Sequence, residues 1–258
     1  MRQGSKKAIA KDIIKLFPAH EIFIDCFFGA GGMFFKKQKI KPSEYNILND
    51  LDNNVFNFFQ VIKHRNKEFR KQLRLTDISS ARLQHYKANK YDNNEIEKAI
   101  RFIFLSNFTF LSKGQTIKLG NSNHKKIILN RLEHTIKLLQ NTVLFNSNWR
   151  EFLNSISFRH VTDKDRAFIY ADPPYVNTRQ ETYETDSRWT ATDLLELLTY
   201  LSNYGSKFAV SEFNSKGVIE TAKNLNLIIT PIKERRNLGN RKTEILITNY
   251  KSQNTLFD

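Results

Sequence analysis

Residues 21–33 read Glu-Ile-Phe-Ile-Asp-Cys-Phe-Phe-Gly-Ala-Gly-Gly-Met, a short apolar stretch that runs directly into a cluster of glycines. The β-branched and aromatic residues predict a strand, and the glycines predict a tight turn into a helix. Positions without a side chain let a ligand approach the backbone, and the helix that follows would offer free N–H groups. A dinucleotide-binding fingerprint would place a third glycine at position 34, where this chain has Phe34. A tight turn without a ligand therefore remains an alternative.

Strand and helix patterns alternate along both ends of the chain. Residues 5–17 carry apolar side chains at helical spacing and are followed by Pro18, which predicts a helix that stops there. Further strands are predicted over residues 45–49, 142–145, 167–171, 207–211, 227–231 and 244–250, with helices over 55–62 and 193–201. This alternation predicts an α/β fold with a mostly parallel sheet, whereas the short polar loop before the last strand predicts an antiparallel hairpin.

The middle of the chain, residues 63–140, differs from both ends because it is dense in Lys, Arg, Asn and His. Its patterns predict helices near residues 95–104 and 126–139, and between them a hairpin over residues 107–120 that turns at Lys113-Gly114. We therefore predict one α/β domain built from residues 1–62 and 141–258, interrupted by a mainly helical insert of residues 63–140.

The composition limits the class of protein. The 258 residues include 41 Lys and Arg against 26 Asp and Glu, a formal net charge of +15 that favours polyanionic partners. A basic protein from a Lys- and Asn-rich proteome is the alternative reading of that charge. A single cysteine excludes a disulfide framework, the six histidines show no paired ligand spacing, and no apolar run approaches the ~18 residues that span a bilayer. We expect a soluble, cytoplasmic protein that needs no metal and no membrane, with Cys26 buried and inert.

The strand over residues 45–49 ends in Asn49-Asp50, about 20 residues beyond the glycine turn, where sheets of this kind place an acid on a ribose diol. Asp52 is a competing acid, but it begins the next predicted helix and could simply cap it. We therefore prefer Asp50 as the ligand-binding acid.

Residues 168–175 read Phe-Ile-Tyr-Ala-Asp-Pro-Pro-Tyr, a hydrophobic strand that ends in an acid, two prolines and an aromatic residue. The prolines end the sheet ladder and stiffen the loop. Asp172 and the carbonyl of Pro173 could each accept one N–H of an exocyclic amine, while Tyr175 could stack on the heterocycle that carries it. Such contacts localise the nitrogen lone pair and hold it in line with an electrophile. An ordinary proline turn is the alternative.

Taken together, these motifs resemble the N6-adenine DNA methyltransferases of the Dam-like alpha group over nearly the whole chain. That family orders its parts as an N-terminal cofactor segment, a glycine loop, a ribose acid, a target-recognition insert and Asp-Pro-Pro-Tyr, and this chain has the same order. The resemblance implies a Rossmann-like methyltransferase sheet with an inserted target-recognition domain. It also implies that Asp172, Pro173, Pro174 and Tyr175 form the catalytic motif.

The resemblance further implies S-adenosylmethionine as the cofactor. Residues 4–6, Gly-Ser-Lys, resemble the N-terminal segment in which the lysine helps to hold that cofactor. The predicted cofactor-binding residues are Lys6, Phe27, Gly29, Ala30, Gly31, Asp50, Asn148 and Asp172. Asn148 follows a strand where relatives often carry an acid, and Arg2 stands where the family commonly has an aromatic residue.

The implied reaction is direct methyl transfer to N6 of an adenine flipped out of a specific duplex DNA sequence. The implied partners are duplex DNA and a cognate restriction endonuclease, and we expect a monomer. Transfer to cytosine N4 or to an RNA adenine, and a non-catalytic nucleic-acid-binding module, are the alternatives.

Contacts to DNA bases and phosphates are predicted for the hairpin and the catalytic loop, because Lys and Arg bind phosphates and Asn and Gln can pair with adenine. The candidates are Lys113, Gln115, Lys118, Asn121, Asn123, His124 and Arg179. A merely solvated surface is the alternative for each. Asp50 and Asp172 are expected to be among the few acids in a basic cleft.

Overall fold

The structure is a computed structural model that describes residues 6, 9–88, 94–110, 114–118, 123–176, 189–237 and 240–252. The strands of these ranges are β1 Ile22–Asp25, β2 Tyr45–Asn49, β3 Thr142–Phe145, β4 Ala167–Ala171, β5 Lys207–Phe213, β6 Ile228–Asn237 and β7 Asn240–Thr248. The helices are α1 Ala10–Lys15, α2 Gly32–Ile40, α3 Asn53–His64, α4 Asn66–Leu75, α5 Ser80–Ala88, α6 Glu95–Phe108, α7 His124–Leu139, α8 Trp149–Ser155, α9 Asp163–Arg166, α10 Ala191–Tyr204 and α11 Lys216–Asn224.

The strands form one sheet in the order β3-β2-β1-β4-β5-β7-β6. The first five strands of this order are parallel, while β7 runs antiparallel to both of its neighbours, β5 and β6. This confirms the predicted Rossmann-like sheet with an antiparallel last strand. Because β7 returns between β5 and β6, its first residues reach the edge of the sheet where the parallel strands end.

Both faces of the sheet are covered by apolar packing, since successive side chains of a buried parallel strand point to opposite faces. Phe23 of β1 packs into a core with α1, α2 and α3, whereas the next residue, Ile24, packs into a second core with α10. The first core continues without a break into the predicted insert, where Phe58 of α3 contacts Phe69 and Phe102. The insert helices are thus fastened to the sheet domain by shared aromatic packing.

The elements differ from the sequence predictions mainly at their ends. The first helix begins at Ala10, later than predicted, and β5 and β6 extend further, to Phe213 and Asn237. The predicted hairpin is present as a short antiparallel pairing that joins Thr109 to Ile117. Its first arm starts later than residue 107, because buried apolar residues continue at helical spacing and keep α6 helical as far as Phe108.

The turn of this hairpin is closed by backbone bonds from the Phe110 N–H to the Thr116 carbonyl and from the Lys118 N–H to the Phe108 carbonyl, both 2.8 Å. Gly114 lies within the turn with a φ of +70°, a conformation that favours glycine. Across the described ranges, none of the helices has the length and apolar character needed to cross a membrane.

Candidate active site

Acidic side chains gather at one edge of the sheet. Asp25 ends β1 and Asp172 directly follows β4, and the carboxyl ends of these neighbouring parallel strands meet at the same edge. Glu212 lies near the end of β5, and the antiparallel β7 brings Glu244 to the position opposite Phe213. This edge is the candidate active site.

The glycine turn lies between β1 and α2 and leaves the backbone accessible. Gly29 and Gly31 have φ values of +54° and +72°, which favour glycine. A Cβ at Gly31 would lie 2.4 Å from the Phe35 ring, so packing requires glycine there. A Cβ at Gly29 would meet nothing within 4 Å, so the backbone at Gly29 faces open space that a ligand could fill.

Asp50 lies directly beside this turn, as predicted. One of its carboxylate oxygens accepts the Gly29 N–H at 2.6 Å and the other accepts the Asp52 N–H at 2.8 Å. The competing acid, Asp52, instead caps α3 by accepting the Asn54 N–H at 2.8 Å. The two neighbouring acids therefore have separate local roles, while a contact of Asp50 with a ribose stays a prediction.

Lys6 is buried against the catalytic motif. Its Nζ lies 2.5 Å from Asp172 Oδ1 and 3.0 Å from Glu244 Oε1, and 4.3 Å from the centre of the Tyr175 ring. Lys6 was predicted to bind the cofactor. In the structure Lys6 contacts residues of the Asp-Pro-Pro-Tyr loop and Glu244, so it joins the N-terminal segment to this loop, and its contact with the cofactor stays a prediction.

The end of the catalytic loop is held at two points. The Tyr175 hydroxyl donates to Glu244 Oε1 at 2.5 Å, and the Tyr175 ring packs edge-on against Phe213 with 4.2 Å between ring centres. Glu212 accepts the N–H of Val176 at 3.2 Å and the N–H of Phe213 at 2.7 Å. Both the ring and the backbone of this loop end are thereby fixed to β5 and β7.

The buried residues at this edge include several acids, whereas the sequence predicted a basic cleft with few acids. Burial raises the pKa of Asp25 well above its ordinary range, and the charges of Asp172 and Asp50 contribute to the rise. Burial also raises the pKa of Glu212 to about 7, although the backbone N–H groups of Phe213 and Val176 oppose the change. The acids collect here because backbone N–H groups and Lys6 provide partners that a buried carboxylate needs.

Two further predictions concern titratable groups away from the loop. Cys26 is buried, and burial raises the pKa of its thiol well above the ordinary range, as expected for an inert cysteine. Among the side chains that the structure describes, no three His, Cys, Asp or Glu residues are arranged to hold a metal ion.

The other predicted cofactor residues lie around the same edge, each with a local role. The Phe27 ring packs edge-on against Trp189 at 5.8 Å, and Ala30 is exposed within the glycine turn. Asn148 follows β3 and caps α8, since its side-chain oxygen accepts two backbone N–H groups of the first turn, both at 3.0 Å. Capping explains an asparagine at this position without a ligand, and its cofactor contact stays a prediction.

The predicted DNA-binding residues are described only in part. Gln115 and Lys118 lie in the second arm of the hairpin, where the Gln115 carbonyl accepts Lys87 Nζ at 3.0 Å. Asn123 and His124 stand at the start of α7. Lys113, Asn121 and Arg179 lie outside the described residues. The described members therefore group at one end of the insert, and their contacts with DNA stay predictions.

Glu212 and Glu244 were not among the functional candidates predicted from the sequence. Each lies beside apolar residues of its strand and is almost fully buried, at 1% and 0% exposure. A charged residue next to apolar strand residues is a signal, because carboxylates are rarely buried without a partner. The partners, however, come from loops far away in the chain, so the sequence pattern alone did not reveal what these acids contact.

Comparisons with known proteins identify a family that matches most of this chain. The model of the family "D12 class N6 adenine-specific DNA methyltransferase" matches residues 3–238. The modification methylase StsI of Streptococcus sanguinis is 26% identical over 97% of this chain, which spans 42% of that protein's length.

Solved methyltransferase structures are similar at low identity. TrmK of M. capricolum, in complex with S-adenosylhomocysteine, is 10% identical with a TM-score of 0.46, over 94% of this chain and 68% of that one. The N-terminal domain of human METTL16, also in complex with S-adenosylhomocysteine, is 8% identical with a TM-score of 0.44, again over 94% and 68%.

Proposed function

Since this chain belongs to the D12 class of N6 adenine-specific DNA methyltransferases, we propose that it transfers a methyl group from S-adenosylmethionine to N6 of an adenine flipped out of a specific duplex DNA sequence. The observation that carries the proposal is that the glycine turn follows β1 and the loop of Asp172 and Tyr175 follows β4, its parallel neighbour. A base held by the loop and a cofactor held by the turn would meet at one edge of the sheet.

The residues at this edge fit the cofactor. Gly29 leaves open space beside its backbone, and Asp50 lies next to it. The cofactor carries a sulfonium and an ammonium cation, and the carboxylates of Asp50 and Asp172 would provide negative charge for them. When bound, S-adenosylmethionine would supply an electrophilic methyl group. Asp50 would accept the ribose hydroxyls, and the backbone at Gly29 would lie against the bound ligand.

The catalytic loop provides acceptors for an exocyclic amine. Asp172 keeps about a fifth of its side chain exposed while one oxygen is paired with Lys6, so the carboxylate is both held and reachable. The exposed part of its carboxylate and the Pro173 carbonyl would each accept one N–H of the adenine amine. These bonds localise the nitrogen lone pair and stabilise the positive charge that develops on the amine during transfer.

Tyr175 would stack on the adenine. Its ring is half-buried and is held by Phe213 and by Lys6 Nζ, so the part of the ring that remains exposed would be a rigid surface for a base. A duplex hides N6 within the base stack and in the base pair, so the adenine has to leave the duplex before its amine can reach Asp172. Base flipping is therefore part of the proposal.

DNA would be held by the basic insert. The net charge of +15 is large although the active-site edge is acidic, so the excess of cations lies elsewhere on the protein. We assign residues 63–140 as the target-recognition unit, with Gln115, Lys118 and Asn123 among its contacts. A cognate restriction endonuclease is a proposed partner, in line with the name of the StsI modification methylase.

Transfer of labelled methyl groups tests the proposal. Purified protein with labelled S-adenosylmethionine is offered duplex DNA, single-stranded DNA and RNA, and the modified nucleosides are identified. We expect N6-methyladenine in duplex DNA. N4-methylcytosine, or RNA as the sole acceptor, would support the alternative methyltransferases instead. Binding to DNA without any turnover would support a non-catalytic module.

A further inference from the structure

Glu244 contacts two residues at the candidate active site: Tyr175 of the Asp-Pro-Pro-Tyr loop, and Lys6. It is fully buried in the middle of β7, where its Oε1 lies 2.5 Å from the Tyr175 hydroxyl and 3.0 Å from Lys6 Nζ. Lys6 in turn pairs with Asp172. One carboxylate therefore connects the stacking residue to the residue that accepts the amine.

Lys6, Asp172 and Glu244 form a cluster, and each buried charge in it depends on the others for its partner. A buried carboxylate without a partner is costly by several kcal/mol, and so is a buried ammonium. Lys6, at 3% exposure, lies between Asp172 and Glu244, and Glu212 also acts on the cluster through its charge. Removing the charge of Glu244 would leave Asp172 as the carboxylate that pairs with Lys6. The Asp172 carboxylate, which would accept an N–H of the adenine amine, would then shift toward Lys6.

The geometry of Tyr175 also depends on Glu244. Phe213 contacts the ring from one side, and Glu212 holds the backbone immediately after it, but neither contact fixes the far end of the side chain. The hydroxyl bond to Glu244 does so. Because Phe213 and Glu244 are directly opposite residues on paired strands, they lie on the same face of the sheet and constrain the ring together.

We propose that Glu244 is a positioning residue for methyl transfer, which orients Tyr175 through its hydroxyl and Asp172 through Lys6. This inference rests on the proposed function. Glu244 touches neither the adenine nor the cofactor in this account. Its loss therefore lowers the rate of the chemical step without a comparable loss of DNA affinity.

The test compares Glu244→Gln, Tyr175→Phe and the double variant with the wild type. Glutamine keeps the size of Glu244 but loses its charge, and phenylalanine keeps the stacking ring but loses the hydroxyl. We expect Glu244→Gln to lower kcat about tenfold and to change the KM for DNA less than about twofold. The double variant should lose less than the product of the two single losses, because both changes act on one hydrogen bond.

Ser211→Ala is the matched control. Ser211 is equally buried on β5, next to Glu212, but its hydroxyl is hydrogen-bonded to the Tyr170 hydroxyl at 2.8 Å and not to Lys6, Asp172 or Tyr175. Its loss should lower the unfolding temperature while kcat stays within about twofold of wild type. The comparison separates a general effect of lost buried polar contacts from positioning.

The outcomes separate this inference from the proposed function. A kcat of Glu244→Gln within twofold of an active wild type overturns the inference alone, and so do strictly multiplicative losses in the double variant. If Glu244→Gln fails to fold, Tyr175→Phe decides, since a wild-type kcat there shows that the hydroxyl bond orients nothing. A wild type that methylates no nucleic acid removes the proposed function, and the inference with it.

Discussion

The two edges of the sheet hold their buried charges in opposite ways. At the carboxyl edge, Lys6 lies between the carboxylates of Asp172 and Glu244, and Asp172 remains partly exposed. At the amino edge, Lys37 is fully buried, with its Nζ 2.5 Å from Ser43 Oγ and 4.5 Å from the centre of the Phe23 ring. Lys41 donates to the Phe17 carbonyl, and in the described part of the chain no carboxylate pairs with either lysine.

The pKa values reflect this difference. Burial lowers the pKa of Lys37 to about 7, with a contribution from the charge of Lys41, and burial together with Lys37 lowers that of His20 to about 4. The amino edge therefore disfavours charge on its buried cations, whereas the carboxyl edge pairs Lys6 with Asp172 and Glu244, although burial there raises the pKa of Asp25 and Glu212. A buried charged group that is paired with a partly exposed partner is typical of a functional site. A buried lysine whose pKa is lowered by burial is typical of a residue that contributes mainly to packing.

The largest effect is expected for Asp172→Ala. Removing the acceptor of the amine should lower kcat about 10³-fold, because a preorganised acceptor at the reacting nitrogen is lost. DNA affinity should change far less. Steady-state kinetics and a DNA-binding titration measure the two. Lys37→Met at the opposite edge is the control and should retain wild-type kcat; equal losses in both variants would remove the functional distinction between the edges.

Asp50→Ala should mainly weaken cofactor binding. We expect the affinity for S-adenosylhomocysteine, measured by calorimetry, to fall about tenfold or more, because the ribose acceptor and the support of the Gly29 N–H are both lost. Asp52→Ala is the matched control, since it removes only the cap of α3 and should cost about 1 kcal/mol of stability. Equal damage to cofactor and DNA affinity would refute the assignment of Asp50.

Lys37→Met should increase stability most at and below about pH 7. The pKa of Lys37 is lowered from 10.5 in the unfolded chain to about 7, so the folded state disfavours the proton, and wild-type stability should rise between pH 7 and 10.5. Denaturant unfolding should show the variant more stable by on the order of 2 kcal/mol at pH 7. That advantage should shrink toward pH 10. A constant difference across this range would show that the proton on Lys37 is not the cause.

Glu212→Gln should have a smaller and opposite dependence on pH. The pKa of Glu212 is raised from 4.5 to about 7, so its stabilising contribution is complete below pH 4.5 and is lost as the pH rises through 7. Lys6 and Asp172 are the charged groups that act on it. Between pH 4.5 and 8, the unfolding free energy of the variant should fall by about 1 kcal/mol less than that of the wild type. An unchanged slope would show that Glu212 does not titrate there.

The predictable parts of the fold are those with local signals. Residues 45–49 and 142–145 form strands with the predicted bounds, because apolar β-branched runs are interrupted by polar residues and turns. The catalytic loop was found for the same reason, since prolines end the strand before it. The role of Glu244 was not predictable, because it depends on β7 lying between β5 and β6, and on Lys6 from the other end of the chain.

The central claim is that the carboxyl edge methylates adenine N6 in duplex DNA. The most direct measurement is nucleoside mass spectrometry of DNA from cells that lack their own adenine methyltransferase and express either the wild type or Asp172→Ala. We predict N6-methyladenine at one recurring sequence with the wild type and none above background with the variant. Equal N6-methyladenine from both proteins, or none from a folded wild type, would contradict the account.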